Sequence, residues 1–148
     1  MEEHIIVRPM EETDIAELVL IEKECFSLPW SEQSFRDSYA LPYAQFFVGE
    51  IGGRIAGYAG LYKVGDEGDI TNVAVSHIYR RKGVAKTIME SVIQFAKEQE
   101  MDCITLEVRE SNSPAIALYE KMGFKNIGVR KNFYEKPIES AIIYQYIF

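Results

Sequence analysis

Residues 83–99 carry the strongest pattern in the chain. Val84, Ile88, Met89, Val92, Ile93 and Ala96 recur at the spacing that lays one apolar stripe along a helix. β-rich runs flank this helix, DITNVAV at 69–75 and a second run at 103–108. A strand, a long amphipathic helix and another strand predict a crossover unit with its strands parallel in one sheet. A further helix is expected over 113–122. Ser113 is read as its cap, Pro114 as its first helical position, and Gly123 lies just past its end. Runs at 124–130 and 141–148 complete the sheet. Alternation in DITNVAV places Ile70, Asn72 and Ala74 on one face and Thr71, Val73 and Val75 on the other.

The upstream half has a different rhythm. A short β-rich run at 4–8 ends at Pro9. Thr13 is read as the cap of a helix whose apolar positions are Ile15, Leu18, Val19, Cys25 and Phe26, with Glu22 as a gap in the stripe. Pro29–Trp30 breaks it, and Ser31 starts a second short helix with Glu32 in its first turn, where negative charge meets the positive helix end. Runs at 45–51 and 54–62 are joined by Gly52–Gly53, a hairpin signal because both positions can take φ > 0. The expected fold is mixed α/β, a single domain over 1–148, with one sheet covered by helices on both faces.

Composition narrows the function classes. The net charge of −7 argues against a nucleic-acid role, which calls for a basic face. It suits the steering of a cationic amine or peptide instead. Cys25 and Cys103 stand in no metal-binding spacing, and His4 and His77 show no ligand partners, so no metal is expected. The N-terminus lacks the apolar core of a signal segment, and no apolar run reaches the roughly 20 residues of a membrane span. A cytoplasmic protein is expected.

Between the strand at 69–75 and the helix at 83–99 lies SHIYRRKGVA. Arg80, Arg81 and Lys82 precede Gly83 at the helix entry. A helix start offers unpaired N–H groups and the positive end of the dipole, so an anion is the natural ligand. Gly83 and the small Ala85 let backbone approach it closely. Neither GxxxxGK[ST] nor GxGxxG is present, so the loop is not one of the common nucleotide-binding signatures.

The run Arg80-Arg81-Lys82-Gly83-Val84-Ala85 resembles the [RQ]xxGx[GA] loop of the GCN5-related N-acetyltransferase superfamily, and the order of elements is also that superfamily's. Four stretches are similar to the bacterial ribosomal-protein-alanine N-acetyltransferases in particular: CFSLPWSEQSF at 25–35, ITNVAV at 70–75, LEVRESNSPAIALYEKMGF at 106–124 and RKNFYEKPIESAII at 130–143. The resemblance implies a mostly antiparallel sheet flanked by helices. It implies acetyl-CoA as co-substrate and an acceptor amine at the N-terminus of a ribosomal protein. It implies that Glu107 takes the amine's proton and that Tyr119 protonates the departing thiolate. Residues 80–86 (Arg80, Arg81, Lys82, Gly83, Val84, Ala85, Lys86) take the pyrophosphate. Val73, Ala74 and Val75 pair with the pantetheine arm, and Asn112 and Tyr119 also contact the co-substrate. Trp30 and Tyr134 are expected beside the acceptor. The family tail usually carries NYY and EDA where this chain has Asn132-Phe133-Tyr134 and Glu139-Ser140-Ala141, a difference that bears on how the peptide is gripped.

The residues alone leave alternatives open. Glu107 and Arg109 face one side of their strand, so Glu107 is either a base withdrawn from water, an exposed glutamate on an edge strand, or the salt-bridge partner of Arg109. Tyr119 is either a core tyrosine or a proton donor. An α-amine titrates near 7.7–8.0 and a lysine near 10.4, so deprotonating lysine costs about 3.4 kcal/mol more. Other acceptors (lysine, a polyamine, another small amine) and a non-catalytic acetyl-CoA-binding module are the competing readings.

Overall fold

The computed structural model describes residues 4–148; the first residues of the stretch searched for a signal segment, 1–3, lie outside the described residues. The described residues build seven strands and four α-helices. In chain order they are β1 (Ile5–Pro9), α1 (Ile15–Cys25), α2 (Glu32–Tyr39), β2 (Ala44–Ile51), β3 (Arg54–Val64), β4 (Glu67–Val75), α3 (Val84–Glu98), β5 (Cys103–Arg109), α4 (Ser113–Met122), β6 (Lys125–Tyr134) and β7 (Glu139–Ile147). One sheet runs β1-β2-β3-β4-β5-β7-β6. Its pairs are antiparallel except β4 with β5. The mixed α/β expectation therefore holds, with a single parallel pair. The second strand–helix–strand unit does not pair its own strands, because the β6–β7 hairpin folds back and slots β7 between β5 and β6.

Helices cover both faces. α3 lays Val84, Ile88, Met89, Val92 and Ala96 against Leu61, Ile70, Ile104 and Leu106, and Tyr119 of α4 joins this layer. On the other face α1 and α2 bury Leu18, Ile21 and Phe35 against Phe46, Val48, Tyr58 and Ala74. Burying such side chains contributes roughly 1.5–3 kcal/mol each.

Three local expectations are corrected. Thr13 lies inside a 3-10 turn (Glu12–Asp14), and Asp14 fastens the helix entry, accepting the Glu11 N–H at 2.7 Å and a forked pair from Arg8 at 2.8 and 2.9 Å. The cap of α4 is Asn112, whose Oδ1 accepts the Ala115 N–H at 3.3 Å, so Ser113 is already helical. In β4 the alternation breaks. Gly60 pairs Asn72 and Leu61 pairs Ile70, leaving Thr71 as a bulge. An extra residue reverses the facing of everything beyond it. Ile70 thus sits in the α3 layer, together with Val73 and Val75, while Ala74 sits in the α1 layer. Ser31 caps α2 as expected, accepting the Ser34 N–H at 3.1 Å, and Gly123 ends α4 at φ +104.

Candidate active site

β4 and β5 pair only at Glu67–Cys103, Gly68–Ile104 and Asp69–Thr105. Beyond Asp69 the two strands part. β4 stays with β3 and β5 stays with β7, leaving a V-shaped gap between them. The bulge at Thr71 lies just past the vertex, where extra strand twist turns β4 away.

The register decides which main-chain groups face the gap. Ser76 N–H bonds to Ala56 O on β3 at 2.8 Å. Alternate residues of an antiparallel strand bond to the same neighbour. Ala74 therefore also spends its main-chain groups on β3, opposite Tyr58, and Val73 and Val75 turn theirs to the gap. Of the three residues expected to pair with a pantetheine arm, Ala74 is thus misplaced by one step of the strand period. Val75 O already accepts from Cys25 Sγ at 3.4 Å and Arg80 Nε at 3.2 Å.

The loop after β4 ends at the start of α3. Gly83 caps the helix at φ +81, and the first helical bond runs from Thr87 N–H to Gly83 O at 3.0 Å. The N–H groups of Val84, Ala85 and Lys86 precede that bond and point from the helix start. Nothing lies within 4 Å of where a Gly83 Cβ would be, so glycine serves the backbone angle here rather than clearance. Arg81 also sits at positive φ, +64. Lys82 stands in the same loop. Arg80 turns away from this backbone, with its guanidinium on Val75 O and, at 3.4 Å, Cys25 Sγ.

Glu107 stands on β5 past the vertex, on the face shared with Thr105 and Arg109. Its side chain is 20% exposed, and Oε1 lies 3.5 Å from Arg130 Nε. Arg109 is not its partner. Arg109 pairs with Glu139 at 3.2 Å, donates to the carbonyls of Pro137 and Glu135, and stacks on the Tyr134 ring at 4.5 Å. That packing fixes the β6–β7 turn and holds Tyr134 beside Glu107. Burial, and then the Glu107 charge, push the Tyr134 hydroxyl up to about 12.

Tyr119 is 6% exposed, with its ring against Phe124 at 5.7 Å and Tyr144 at 6.5 Å. It is a core ring, yet its hydroxyl bonds to no other described residue. Burial first, and then the neighbouring Tyr134, raise its proton affinity. Glu107, Tyr134 and Tyr119 thus share one electrostatic neighbourhood. Trp30 stays on the α1–α2 side, packed on Phe35 at 5.3 Å and Phe46 at 6.1 Å, as a staple of those helices. Asn112 lies at the start of α4 with Oδ1 committed to the cap.

Sequence reasoning missed three residues. Asp69, at the vertex, stays exposed, yet partial loss of hydration and then the Glu107 charge raise its carboxyl against the pull of Arg130. Arg130 was hidden by the inserted strand. Glu22 was visible as a charged gap in an apolar stripe, and it is 2% exposed. Among the described residues no group of His, Cys, Asp or Glu could hold a metal ion, and no helix is long and apolar enough to cross a membrane.

A sheet that parts beside an anion-receptive helix start suits an N-acetyltransferase, the class that the comparisons show. The chain belongs to the acetyltransferase (GNAT) family, whose model matches residues 15–124. It is 39% identical over 138 residues to a Bacillus subtilis (strain 168) protein provisionally named a ribosomal protein bS18-alanine N-acetyltransferase, covering 93% of this chain and 91% of that one. It is 34% identical over 128 residues to the Escherichia coli (strain K12) protein of that name, covering 86% of each. The crystal structure of the Escherichia coli ribosomal-protein-S18-alanine N-acetyltransferase superposes with a TM-score of 0.91 at 32% identity, over 97% of this chain and 94% of that one. GNAT acetyltransferases draw their acetyl group from acetyl-CoA.

Proposed function

We propose that this enzyme transfers acetyl from acetyl-CoA to the N-terminal α-amine of a protein, an alanine of a small-subunit ribosomal protein, with Glu107 as general base and Tyr119 as general acid. The observation that carries this is the place of Glu107 on β5 past the vertex of the β4–β5 gap, beside Tyr134, which in turn neighbours Tyr119, across from the outward main-chain groups of Val73 and Val75.

The residues present fit the co-substrate. The N–H groups of Val84, Ala85 and Lys86 receive the pyrophosphate, aided by the charges of Arg81 and Lys82. Arg80 closes the end of β4 instead. Val73 and Val75 pair with the amide-bearing arm as a missing strand would. Asn112 contributes from the start of α4, within what its capping bond leaves. The thioester supplies an activated acetyl carbonyl. Glu107 accepts the proton from the α-ammonium, freeing the nitrogen pair to attack that carbon. As the carbon–sulfur bond breaks, Tyr119 delivers its proton to the sulfur, and the second proton shed by the newly acylated nitrogen returns the tyrosinate to its neutral form. The burial that raises the tyrosine also raises the proton affinity of a thiolate formed beside it, which keeps the two matched. Tyr134 borders the acceptor, and Trp30 supports that border from behind.

An α-amine asks about 3.4 kcal/mol less of the base than a lysine does. The test is intact-mass spectrometry on two peptides incubated with enzyme and acetyl-CoA. One has a free N-terminal alanine, and the other a blocked N-terminus and a free lysine. A gain of one acetyl on the first alone is expected. Acetylation of the blocked peptide at a comparable rate overturns the α-amine assignment. The same assay on a whole small-subunit ribosomal protein tests the acceptor. The arrangement needs no more of the cell than an acceptor meeting the enzyme in the cytoplasm; no nucleic acid and no membrane enters the proposal.

A further inference from the structure

Glu22 occupies a position that an apolar residue would fill at lower cost. It lies on the inner stripe of α1, 2% exposed, in the layer built by Leu18, Ile21 and Phe35. Three donors converge on it. Oε1 accepts from the Tyr58 hydroxyl in a very short contact and from Asn72 Nδ2 at 3.3 Å; Oε2 accepts from the Trp30 N–H at 2.8 Å. The amide of Asn72 is oriented from its other end, because its Oδ1 accepts from Thr71 Oγ1 at 2.7 Å. Replacing a buried charge by a well-packed apolar side chain is often neutral or stabilising. Stability of the core therefore does not account for this carboxylate.

Its partners share a place. Thr71 and Asn72 form the bulge that turns β4 from β5, and Tyr58 stands opposite Ala74. Trp30 closes the turn between α1 and α2, next to the Ser31 cap. Ser27 of that segment reaches over to the β6–β7 turn, its Oγ donating to Glu135 O at 3.4 Å. One carboxylate thus ties the wall that faces the co-substrate to the segment that borders the acceptor.

We propose that Glu22 is a positioning residue for acetyl transfer, fixing the β4 bulge and the α1–α2 turn at one spacing. This rests on reading the β4–β5 gap as the transfer site. Glu22→Gln keeps the volume and exchanges one acceptor oxygen for a donor. Whichever way the new amide lies, either the Trp30 N–H or Asn72 Nδ2 meets another donor.

Two measurements test this. In Glu22→Gln, hydrogen exchange of the backbone amides at 28–31 and at 72–75 is expected to quicken by ~tenfold or more in both segments, with the β5–β7 ladder unchanged. With peptide and acetyl-CoA, kcat is expected to fall ~tenfold or more at temperatures where the variant is fully folded, since misplacing a reactant by about 1 Å costs up to ~100-fold. Adding Asn72→Asp restores an acceptor for the new amide donor, and the double variant is expected to recover kcat to within about threefold of the unaltered enzyme. Exchange that quickens in only one segment, or an unchanged kcat in the single variant, overturns the proposal. An unaltered enzyme that acetylates no α-amine overturns the functional reading instead, and the exchange experiment then decides the role of Glu22 by itself.

Discussion

Glu107 on β5 and Arg130 on β6 form an ion pair of 3.5 Å across β7, the strand that lies between them. The pair joins the carboxylate beside the gap to the outer edge of the sheet. Asp69 feels both members, raised by one and lowered by the other.

Glu107→Gln removes the proposed base without changing volume. The expected loss in kcat is ~100- to 10,000-fold, the range of general-base contributions, with the circular dichroism melt retained. It also removes the charge that helps hold the Tyr134 hydroxyl at about 12. In a titration of carbon-13-labelled tyrosine followed by NMR, Tyr134 should ionise at lower pH in the variant. A Tyr134 titration that stays put would separate the two groups.

Tyr119→Phe deletes a hydroxyl that no described residue engages. The ring contacts with Phe124 and Tyr144 remain. Little change in Tm is therefore expected, alongside a fall in kcat of ~100- to 10,000-fold if the hydroxyl protonates the leaving group. A rate equal to that of the unaltered enzyme removes Tyr119 from the mechanism.

Gly83→Val tests the helix start. The site has room for the side chain, but φ of +81 is strained for any residue with a Cβ, by roughly 1–2 kcal/mol and more when branched. The backbone relaxes by rotating the leading amides out of line. Calorimetric titration with acetyl-CoA should show affinity reduced ~tenfold or more, at the order of one good charge-assisted contact. Arg81→Gly, at φ +64, relieves strain while deleting one charge, and should weaken binding far less.

Two aspartates give opposite dependences on pH. The guanidinium of Arg8 holds the Asp14 carboxyl below its usual range. Its contribution to stability is present above the unfolded value and is lost as pH falls through the lower, folded one. Asp69, though exposed, is raised by partial loss of hydration and by Glu107, so protonated Asp69 favours the fold and stability declines modestly as pH climbs through its folded value. At pH 7, Asp14→Asn should lower Tm and Asp69→Asn should raise it. Both differences should shrink in acid, where the carboxyls are protonated. Thermal melts from pH 3 to 8 check the signs.

Most of the elements were legible because each carries its own local pattern. The α3 stripe, the Gly52–Gly53 hairpin and the proline and glycine punctuation of α4 need no tertiary information. The loop before α3 stood out as an anion site for the same reason, whereas the role given to Glu107 came from the resemblance and not from its local pattern. What was hidden depends on partners far away in the chain. The place of β7 between β5 and β6 follows from a hairpin folding back, and no residue of β5 announces it. The Thr71 bulge preserves the look of simple alternation while inverting it, which is why Ile70 was placed on the same face as Ala74. Glu22 was read as an interruption because its three partners come from other elements: Tyr58 on β3, Asn72 on β4 and Trp30 in the turn before α2.

The short ladder between β4 and β5 gives the molecule a mechanical character. β1 to β4 form one antiparallel plate and β5 to β7 another, and three paired positions stitch them along a seam. Helices brace the plates from either side. A molecule that lies in the split with its amides bonded to Val73 and Val75 lengthens the seam. In the proposed binding mode acetyl-CoA is both reagent and rivet, and the enzyme should be stiffest across its middle when it is loaded to react.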